Sequence, residues 1–221
     1  MLTHAGPEIG GASPTAYTTQ LVALVVHALA QRTSRGLADG LASQLLADHQ
    51  RLPLAVEEVL RVDRSLYLKG TELLSEATDS LYLGRGILYP IALEGALKLK
   101  EISYLHAEGY PAGEMKHGPI ALVADGVPVG AVATATPTRE KLLGNLMEVK
   151  ARGARVLAVS EADAGDVREL AELVLPVPAV HPLLQPIVAV VPLQLLAYNV
   201  AVELGHDVDQ PRNLAKSVTV E

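Results

Sequence analysis

Apolar residues along the chain form two kinds of run that alternate. Longer stretches place leucine, valine and alanine at helical spacing, and shorter stretches are continuously apolar and end in glycine or polar residues. The longer stretches predict helices over 15–32, 38–62 (broken near Pro53), 87–105, 138–152 and 186–204. The shorter stretches predict strands over 80–84, 127–133, 155–159 and 173–177.

Strands of this kind define the fold class. Short Val- and Leu-rich strands without polar alternation, separated by helices, are typical of a parallel sheet covered by helices on both faces. Ligands in such folds bind at the carboxyl ends of strands, so the helix starts at 84–87 and 116–120 are candidate positions, together with the one at 10–15. Ser13 or Thr15 is placed to cap that last helix. Because residues 1–14 precede any predicted strand, we expect the chain to begin partway through a domain.

Composition narrows the possible functions. With 221 residues and 49% hydrophobic content the chain can bury a sizeable core. It has no cysteine, which excludes disulfides, thiolate metal sites and a cysteine nucleophile, and which fits the cytoplasm. The net charge of −7 argues against nucleic-acid partners. No stretch reads as a membrane span or signal peptide, since the apolar run at 21–30 is interrupted by His27.

The predicted helix 87–105 carries a charged stripe. Glu94, Lys98 and Glu101 lie within about 60° of one another on a helical projection. One interpretation is a solvated face with an ordinary Glu94–Lys98 pair. The other is a carboxylate base at Glu101 for proton transfer at carbon, with Lys98 tuning that base or stabilising developing negative charge.

The stretch 107–119 contains three glycines and two prolines, which predicts a shaped loop. It ends with His117 at the mouth of a helix that starts at Pro119, where an imidazole tends to be neutral and able to take a proton. A surface histidine near a cap is the alternative. The seven histidines show no metal-ligand spacing, and the turn at 84–86 does not complete a dinucleotide-binding fingerprint, so we predict neither a metal nor a cofactor.

The last segment, 207–221, is unusual for a terminus. It gathers Pro211, Arg212, Asn213 and Lys216 within a short stretch without helical or strand periodicity. Termini of this kind are often disordered or simply packed. An amine, a guanidinium and an amide in one segment also suit a tail that closes over a ligand.

Four of these stretches, 83–86, 92–103, 113–119 and 207–221, together resemble the isomerase part of the glucosamine-6-phosphate synthases, the isomerizing glutamine–fructose-6-phosphate aminotransferases. That part of the family has two sugar isomerase (SIS) domains, each a flavodoxin-like parallel sheet between helices. The resemblance implies that 1–65 is the end of a first SIS domain with linker helices, 66–205 a second SIS domain, and 206–221 an irregular catalytic tail.

The resemblance also implies roles for individual residues. Glu101 matches the base that moves a proton between C1 and C2 of the sugar, and His117 matches the histidine that opens the fructose ring from a neighbouring subunit. Lys216 matches the lysine that forms a Schiff base with the ketose, although Lys98 remains the alternative. Lys98 and Glu94 match polar residues that support the site.

The resemblance further implies that Ala12, Ser13, Glu94 and Ala215 contact the substrate. Gly11 stands where the family has a bulkier residue, and 14–15 reads Pro-Thr instead of Thr-Lys, which changes the rim of that loop. The expected partners are a sugar phosphate (fructose 6-phosphate or glucosamine 6-phosphate) and a second copy of the chain in a homodimer.

Parts of the family pattern are missing. The family's glutaminase domain has a terminal cysteine, and its first SIS domain has a Ser/Thr-rich phosphate loop before the position of Ser13; neither is present. Three functions stay open: a fragment or split form of the synthase that is weak or inactive alone, a sugar-phosphate-binding regulatory module, and a stand-alone amino-sugar-phosphate isomerase or deglycase. A tail with a carbonyl-reactive lysine favours the first.

Overall fold

A five-stranded parallel sheet organises the chain. The computed structural model describes residues 2–35 and 40–214. Within them the helices are α1 (Pro14–Ser34), α2 (Gly40–Leu60), α3 (Arg64–Ser75), α4 (Tyr89–Ser103), α5 (Arg139–Lys150), α6 (Gly165–Leu170) and α7 (Gln185–Glu203). The strands are β1 (Asp79–Gly84), β2 (His106–Pro111), β3 (Pro128–Val132), β4 (Arg155–Glu161) and β5 (Leu173–Val177).

The strand order confirms the predicted fold class. The strands run β2-β1-β3-β4-β5, and every neighbouring pair is parallel. This is the flavodoxin-like order, in which the chain leaves β1 in one direction for β2 and then crosses back over to β3.

The two faces of the sheet have separate cores. Tyr82 and Val159 face a layer built from α3, α4 and α7, and α2 packs into the same core. Leu83 and Ala158 face the opposite layer, which contains α5, α6 and the two short 3-10 helices that follow β2. Helices therefore cover the sheet on both sides, which explains the continuously apolar strands.

Helix α7 lies at the centre of the first layer. It is the one helix of the described residues that is long and apolar enough to cross a membrane, with a mean hydropathy of 1.5 over its best window. The sequence-based statement that no stretch reaches this length and hydropathy is therefore wrong for α7. Since 67% of that window is buried against α4, α3 and the sheet, its apolar surface belongs to the protein core.

Most of strand β2 falls in the predicted loop 107–119, and that prediction is wrong for 107–111. The glycine and proline of this stretch suggested irregular backbone, but the edge of the sheet accommodates both residues. A β-carbon at Gly109 would come within 2.8 Å of the Leu93 backbone, so a side chain there would push α4 away. Pro111 ends the strand on the edge of the sheet, where no further ladder hydrogen bond is needed.

Smaller differences concern the helices. Pro53 does not break α2, which continues through it, and the prediction omitted α3 and α6. Neither Ser13 nor Thr15 caps α1 with its side chain. Instead a Glu8 carboxylate oxygen accepts the backbone N–H of Thr15 at 2.5 Å, so a carboxylate seven residues upstream satisfies the free amide.

The β1–α4 turn gives a test of this packing. A β-carbon at Gly84 would lie 2.3 Å from the carbonyl oxygen of Leu88, whereas one at Gly144 in α5 would meet nothing within 4 Å. We expect Gly84→Ala to lower the free energy of unfolding by about 1–3 kcal/mol or more, because backbone must move. Gly144→Ala should raise it by about 0.5–1 kcal/mol through helix propensity. Urea denaturation measures both, and effects of the same sign would contradict the placement of Gly84.

Candidate active site on helix α4

Helix α4 carries the candidate residues to one end of the sheet. It starts after the single turn Gly86–Leu88 at the carboxyl end of β1 and returns antiparallel to that strand. Glu101, near the C-terminus of α4, therefore lies toward the amino ends of the strands. Of the three helix starts expected to bind a ligand, those at 84–87 and 116–120 lie away from Glu101, whereas the one at 10–15 meets Lys98.

Close packing against α7 fixes the orientation of α4. Gly95 faces α7 so closely that a β-carbon there would lie 2.6 Å from Leu193. The same β-carbon would also lie 3.2 Å from the ring of Tyr82, which belongs to β1. The small residue lets the two helices approach, which turns the charged stripe toward the start of α1 instead of toward open solvent.

Lys98 stands at the centre of a buried polar cluster. Lys98 and Glu94 are only 6% and 7% exposed. The Lys98 ammonium donates to Glu101 Oε2 at 2.6 Å and to the backbone carbonyl of Ala12, and it lies 3.6 Å from Glu94 Oε1. We call Ala12, Glu94, Lys98 and Glu101 the Lys98 cluster. The interpretation of 94, 98 and 101 as a solvated face is wrong.

The two carboxylates of the cluster have different surroundings. Burial raises the pKa of Glu94, and the nearby Lys98 charge opposes that shift only in part. Glu94 also acts on Tyr17 of α1: burial, with the Glu94 charge as a second cause, raises the pKa of that phenol to about 12. The Glu101 side chain is 21% exposed, so it is the carboxylate that an entering molecule can reach.

A cavity of about 200 Å³ opens beside the cluster. Lys98, Ala12, Gly10, Tyr198 and Asp209 are among the residues that line it. Ser13 follows Ala12 in a left-handed conformation (φ 47°), and its hydroxyl donates to the Gly11 carbonyl at 3.5 Å. The structure thus brings Ala12, Glu94, Lys98 and Glu101 together, with Ser13 next to them in the same loop.

His117 lies elsewhere. Its side chain is 75% exposed, and Glu114 is 3.9 Å away. It ends the short 3-10 helix Ala112–His117, which packs through Met115 on the α5 face of the sheet beyond the carboxyl end of β2. The helix expected at Pro119 is only the short 3-10 turn Pro119–Leu122.

The last predicted residues, Ala215 and Lys216, lie outside the described residues. The chain just before them is described and returns to the cluster. The Gly11 N–H donates to the Asp209 carbonyl at 3.2 Å, and a β-carbon at Gly11 would touch the Pro211 ring at 3.4 Å. A glycine in place of a bulkier residue therefore leaves room for Pro211 to pack on the loop.

Sequence reasoning missed two groups. The first is Tyr104, which contacts the segment that follows α7. The scarcity of aromatic residues could have indicated it, since the chain has seven tyrosines and neither phenylalanine nor tryptophan.

The second group is a buried carboxylate, Glu161, at the carboxyl end of β4. It accepts from the Ala135 N–H at 2.9 Å and from the Gln185 amide at 3.0 Å, and it faces Arg139. This group ties the starts of α5 and α7 to the sheet.

A larger cavity of about 390 Å³ lies at the amino ends of β1–β3. Asp79 and Glu108 flank His106 there, and the hydrogen bond to Asp79 (2.7 Å) raises the pKa of His106. All three side chains are well exposed. Residues 2–35 and 40–214 contain no group of three or more His, Asp or Glu side chains arranged to hold a metal ion.

Comparison with known proteins identifies the fold family. The SIS domain model matches residues 73–204. The chain belongs to the SIS domain family. The isomerizing glutamine–fructose-6-phosphate aminotransferase of Thermus thermophilus is 58% identical over 219 residues, which is 99% of this chain and 36% of that relative. This SIS protein thus spans about a third of the length of the curated relatives that it matches.

Solved structures agree with the observed architecture. The C-terminal domain of glucosamine-fructose-6-phosphate aminotransferase from Francisella tularensis superposes with a TM-score of 0.88 at 42% identity, covering 95% of this SIS protein and 60% of that chain. A putative phosphosugar isomerase from Silicibacter pomeroyi gives 0.73 at 27% identity, with 93% and 58% covered. The chain is therefore homologous to the isomerase SIS part of glucosamine-6-phosphate synthases.

Removing the central ammonium tests the cluster. Lys98→Met should lower the free energy of unfolding by about 3–5 kcal/mol, because Glu94 would be left buried without a compensating charge. Lys100→Met, on the exposed side of the same helix, should stay within about 0.5 kcal/mol of the parent protein. Urea denaturation measures both. Equal effects of the two substitutions would show that Lys98 is not buried among these oxygens.

Proposed function

We propose that this chain forms the isomerase half-site of a glucosamine-6-phosphate synthase, where fructose 6-phosphate is converted to glucosamine 6-phosphate. The observation that supports this most is the Lys98 cluster: a reachable carboxylate, Glu101, held by a buried ammonium beside a cavity. Proton transfer between adjacent carbons needs one fixed carboxylate near both of them. Glu101 takes the proton from C1 of the open-chain imine and returns it to C2.

Lys216 is the better candidate for the Schiff base. An imine forms when an amine lone pair attacks the C2 carbonyl and water leaves, and ammonia from glutamine must then displace the lysine, so that the new nitrogen stays on C2 and the lysine amine is released. The Lys98 ammonium directs its N–H bonds at Glu101 and Ala12 and faces Glu94, so it has no lone pair aimed at the cavity. Lys98 acts instead by fixing Glu101 and by placing a positive charge beside the enolamine that develops during proton transfer.

His117 opens the sugar ring in the site of a neighbouring copy. Within one chain it lies on the other face of the sheet from Glu101 and beyond the opposite end of β2, a strand that alone spans roughly 20 Å. One chain therefore cannot bring both groups to a single sugar, whereas a two-fold pairing of two copies gives each site one histidine from its partner. This supports a homodimer as the working form.

Residues 1–65 are the remainder of a first SIS domain in this proposal, 66–205 a second SIS domain and 206–221 the tail. Helix α1 supports the first assignment, because its 21 residues include none that is buried although its sequence is strongly apolar. A groove of about 540 Å³ between α1 and α2, lined by leucines such as Leu24 and Leu41, is open as a result. This chain covers 60% of the Francisella domain, and in this proposal part of the remainder packs on the groove.

A chimera tests the function independently of where this chain begins or ends. Replacing the matched segment of the Thermus thermophilus relative with this chain should give a protein that makes glucosamine 6-phosphate from fructose 6-phosphate and glutamine. In the chimera Glu101→Gln should reduce turnover by about 10²–10⁴-fold, because the proton-transfer base is lost. Glu140→Gln, on the exposed face of α5, is the matched control and should change little.

Mixing two inactive subunits of the same chimera tests whether each site takes residues from both copies. His117→Ala and Glu101→Gln subunits, each inactive alone, should recover about a quarter of parental turnover when mixed, since half of the random dimers regain one complete site of two. Mixing His117→Ala with the doubly substituted subunit should recover nothing. If the first mixture also stays inactive although it forms dimers, both groups serve the same chain and the shared-site proposal is wrong.

A further inference from the structure

Tyr104 contacts the segment that follows α7 through three different interactions. Its phenolic oxygen accepts the backbone N–H of Arg212 at 2.9 Å. The Arg212 guanidinium carbon lies 4.1 Å from the centre of the Tyr104 ring, within range of a cation–π interaction. The His206 ring packs against the same tyrosine, with centroids 4.6 Å apart at 56°. One side chain thus holds both ends of the stretch 206–212 at the end of α4.

The backbone of Tyr104 supports a role for its side chain. Tyr104 is the C-cap of α4 and adopts a left-handed conformation (φ 64°, ψ 10°), with its N–H donating to the Lys100 carbonyl at 3.2 Å. Glycine or asparagine is the usual residue at such a cap, because a β-carbon is unfavourable there. A tyrosine at this position costs stability that a glycine would not, which indicates that the ring is needed for its contacts.

The stretch 206–214 is also attached to the loop 10–13, whose Ala12 carbonyl accepts a hydrogen bond from Lys98. Asp207 accepts the N–H groups of Asp209 and Gln210 at 2.9 and 3.0 Å and so forms a tight turn. That turn presents the Asp209 carbonyl to Gly11, and Pro211 is buried against the same loop. The end of α4, the loop 10–13 and the stretch 206–214 therefore form one connected structure.

We propose that Tyr104 is a positioning residue: it fixes the chain at Arg212 to the end of α4 beside the cavity, and so limits how far the tail that carries Lys216 can move from Glu101. Tyr104 follows Glu101 by three residues, and Arg212 precedes Lys216 by four. Four residues span at most about 14 Å, so a fixed Arg212 sets an upper limit on the distance between Lys216 and the end of α4. Confining the amine raises its effective concentration at the sugar carbonyl. This inference rests on the proposed function only for the role of Lys216.

The first test needs no substrate. Because the chain has no cysteine, Leu214→Cys places a single thiol on the exposed end of the stretch, and a spin label there reports how firmly the stretch is held. Tyr104→Gly suits the left-handed cap and should keep the thermal midpoint within a few degrees of the parent, yet it removes all three contacts. We expect the label to become markedly more mobile in Tyr104→Gly, less so in Tyr104→Phe, which keeps the ring, and unchanged in Tyr89→Phe at the other end of α4.

The second test uses the chimera described above. Borohydride trapping of fructose 6-phosphate on Lys216 should fall by about tenfold in Tyr104→Gly at subsaturating sugar and recover partly in Tyr104→Phe. Unchanged label mobility in Tyr104→Gly, or unchanged trapping despite a mobile label, would overturn the positioning role. If the chimera with Tyr104 intact shows no trapping at all while the label still responds, the proposed function fails and the attachment of 206–214 to Tyr104 stands.

Discussion

The buried Lys98 ammonium is the interaction on which the candidate site depends. Glu94 and Glu101 lie about two helix turns apart on one face of α4, and the Lys98 ammonium between them supplies the compensating positive charge with 6% of its surface exposed. Its contact with the Ala12 carbonyl then brings the loop before α1 onto α4. Without Lys98, Glu94 would be an uncompensated buried charge and the loop would lose its attachment to α4.

The parallel sheet imposes the second constraint. A crossover helix returns to the amino end of the sheet, so Glu101 near the end of α4 and His117 after β2 are separated by the length of a strand as well as by the sheet itself. The fold therefore separates two groups that the same chemistry would use. The proposed homodimer would resolve this separation without any change in the fold, because His117 is exposed and can contact another copy.

Much of this architecture follows from the sequence because the sheet is buried on both faces. Continuous apolar runs indicate β1, β3, β4 and β5, and helical spacing indicates α4 and α7. Strand β2 lacks that signal, because it lies at the edge and includes Glu108 and Gly109. Its glycine is there for contact with α4, which no local pattern can reveal.

The candidate site was predictable in part. The spacing of 94, 98 and 101 shows that these side chains share a face, but a solvated pair and a buried cluster have the same spacing. What buries them is the start of α1 packed on α7, a tertiary contact without a sequence signature. Tyr104 was missed for a similar reason, since its ring acts on residues more than a hundred positions away.

Hydrogen exchange on Lys98→Met tests most directly whether this ammonium holds the site together. The amides of Gly11, Thr15 and Arg212, which are bonded to Asp209, Glu8 and Tyr104, should all exchange at least about tenfold faster once the Ala12 contact is lost. The sheet amide of Ala133, bonded to Val159, should accelerate only as far as global stability falls. If the three site amides keep their parental protection in Lys98→Met, the loop and the stretch 206–214 are held independently of Lys98, and the account is contradicted.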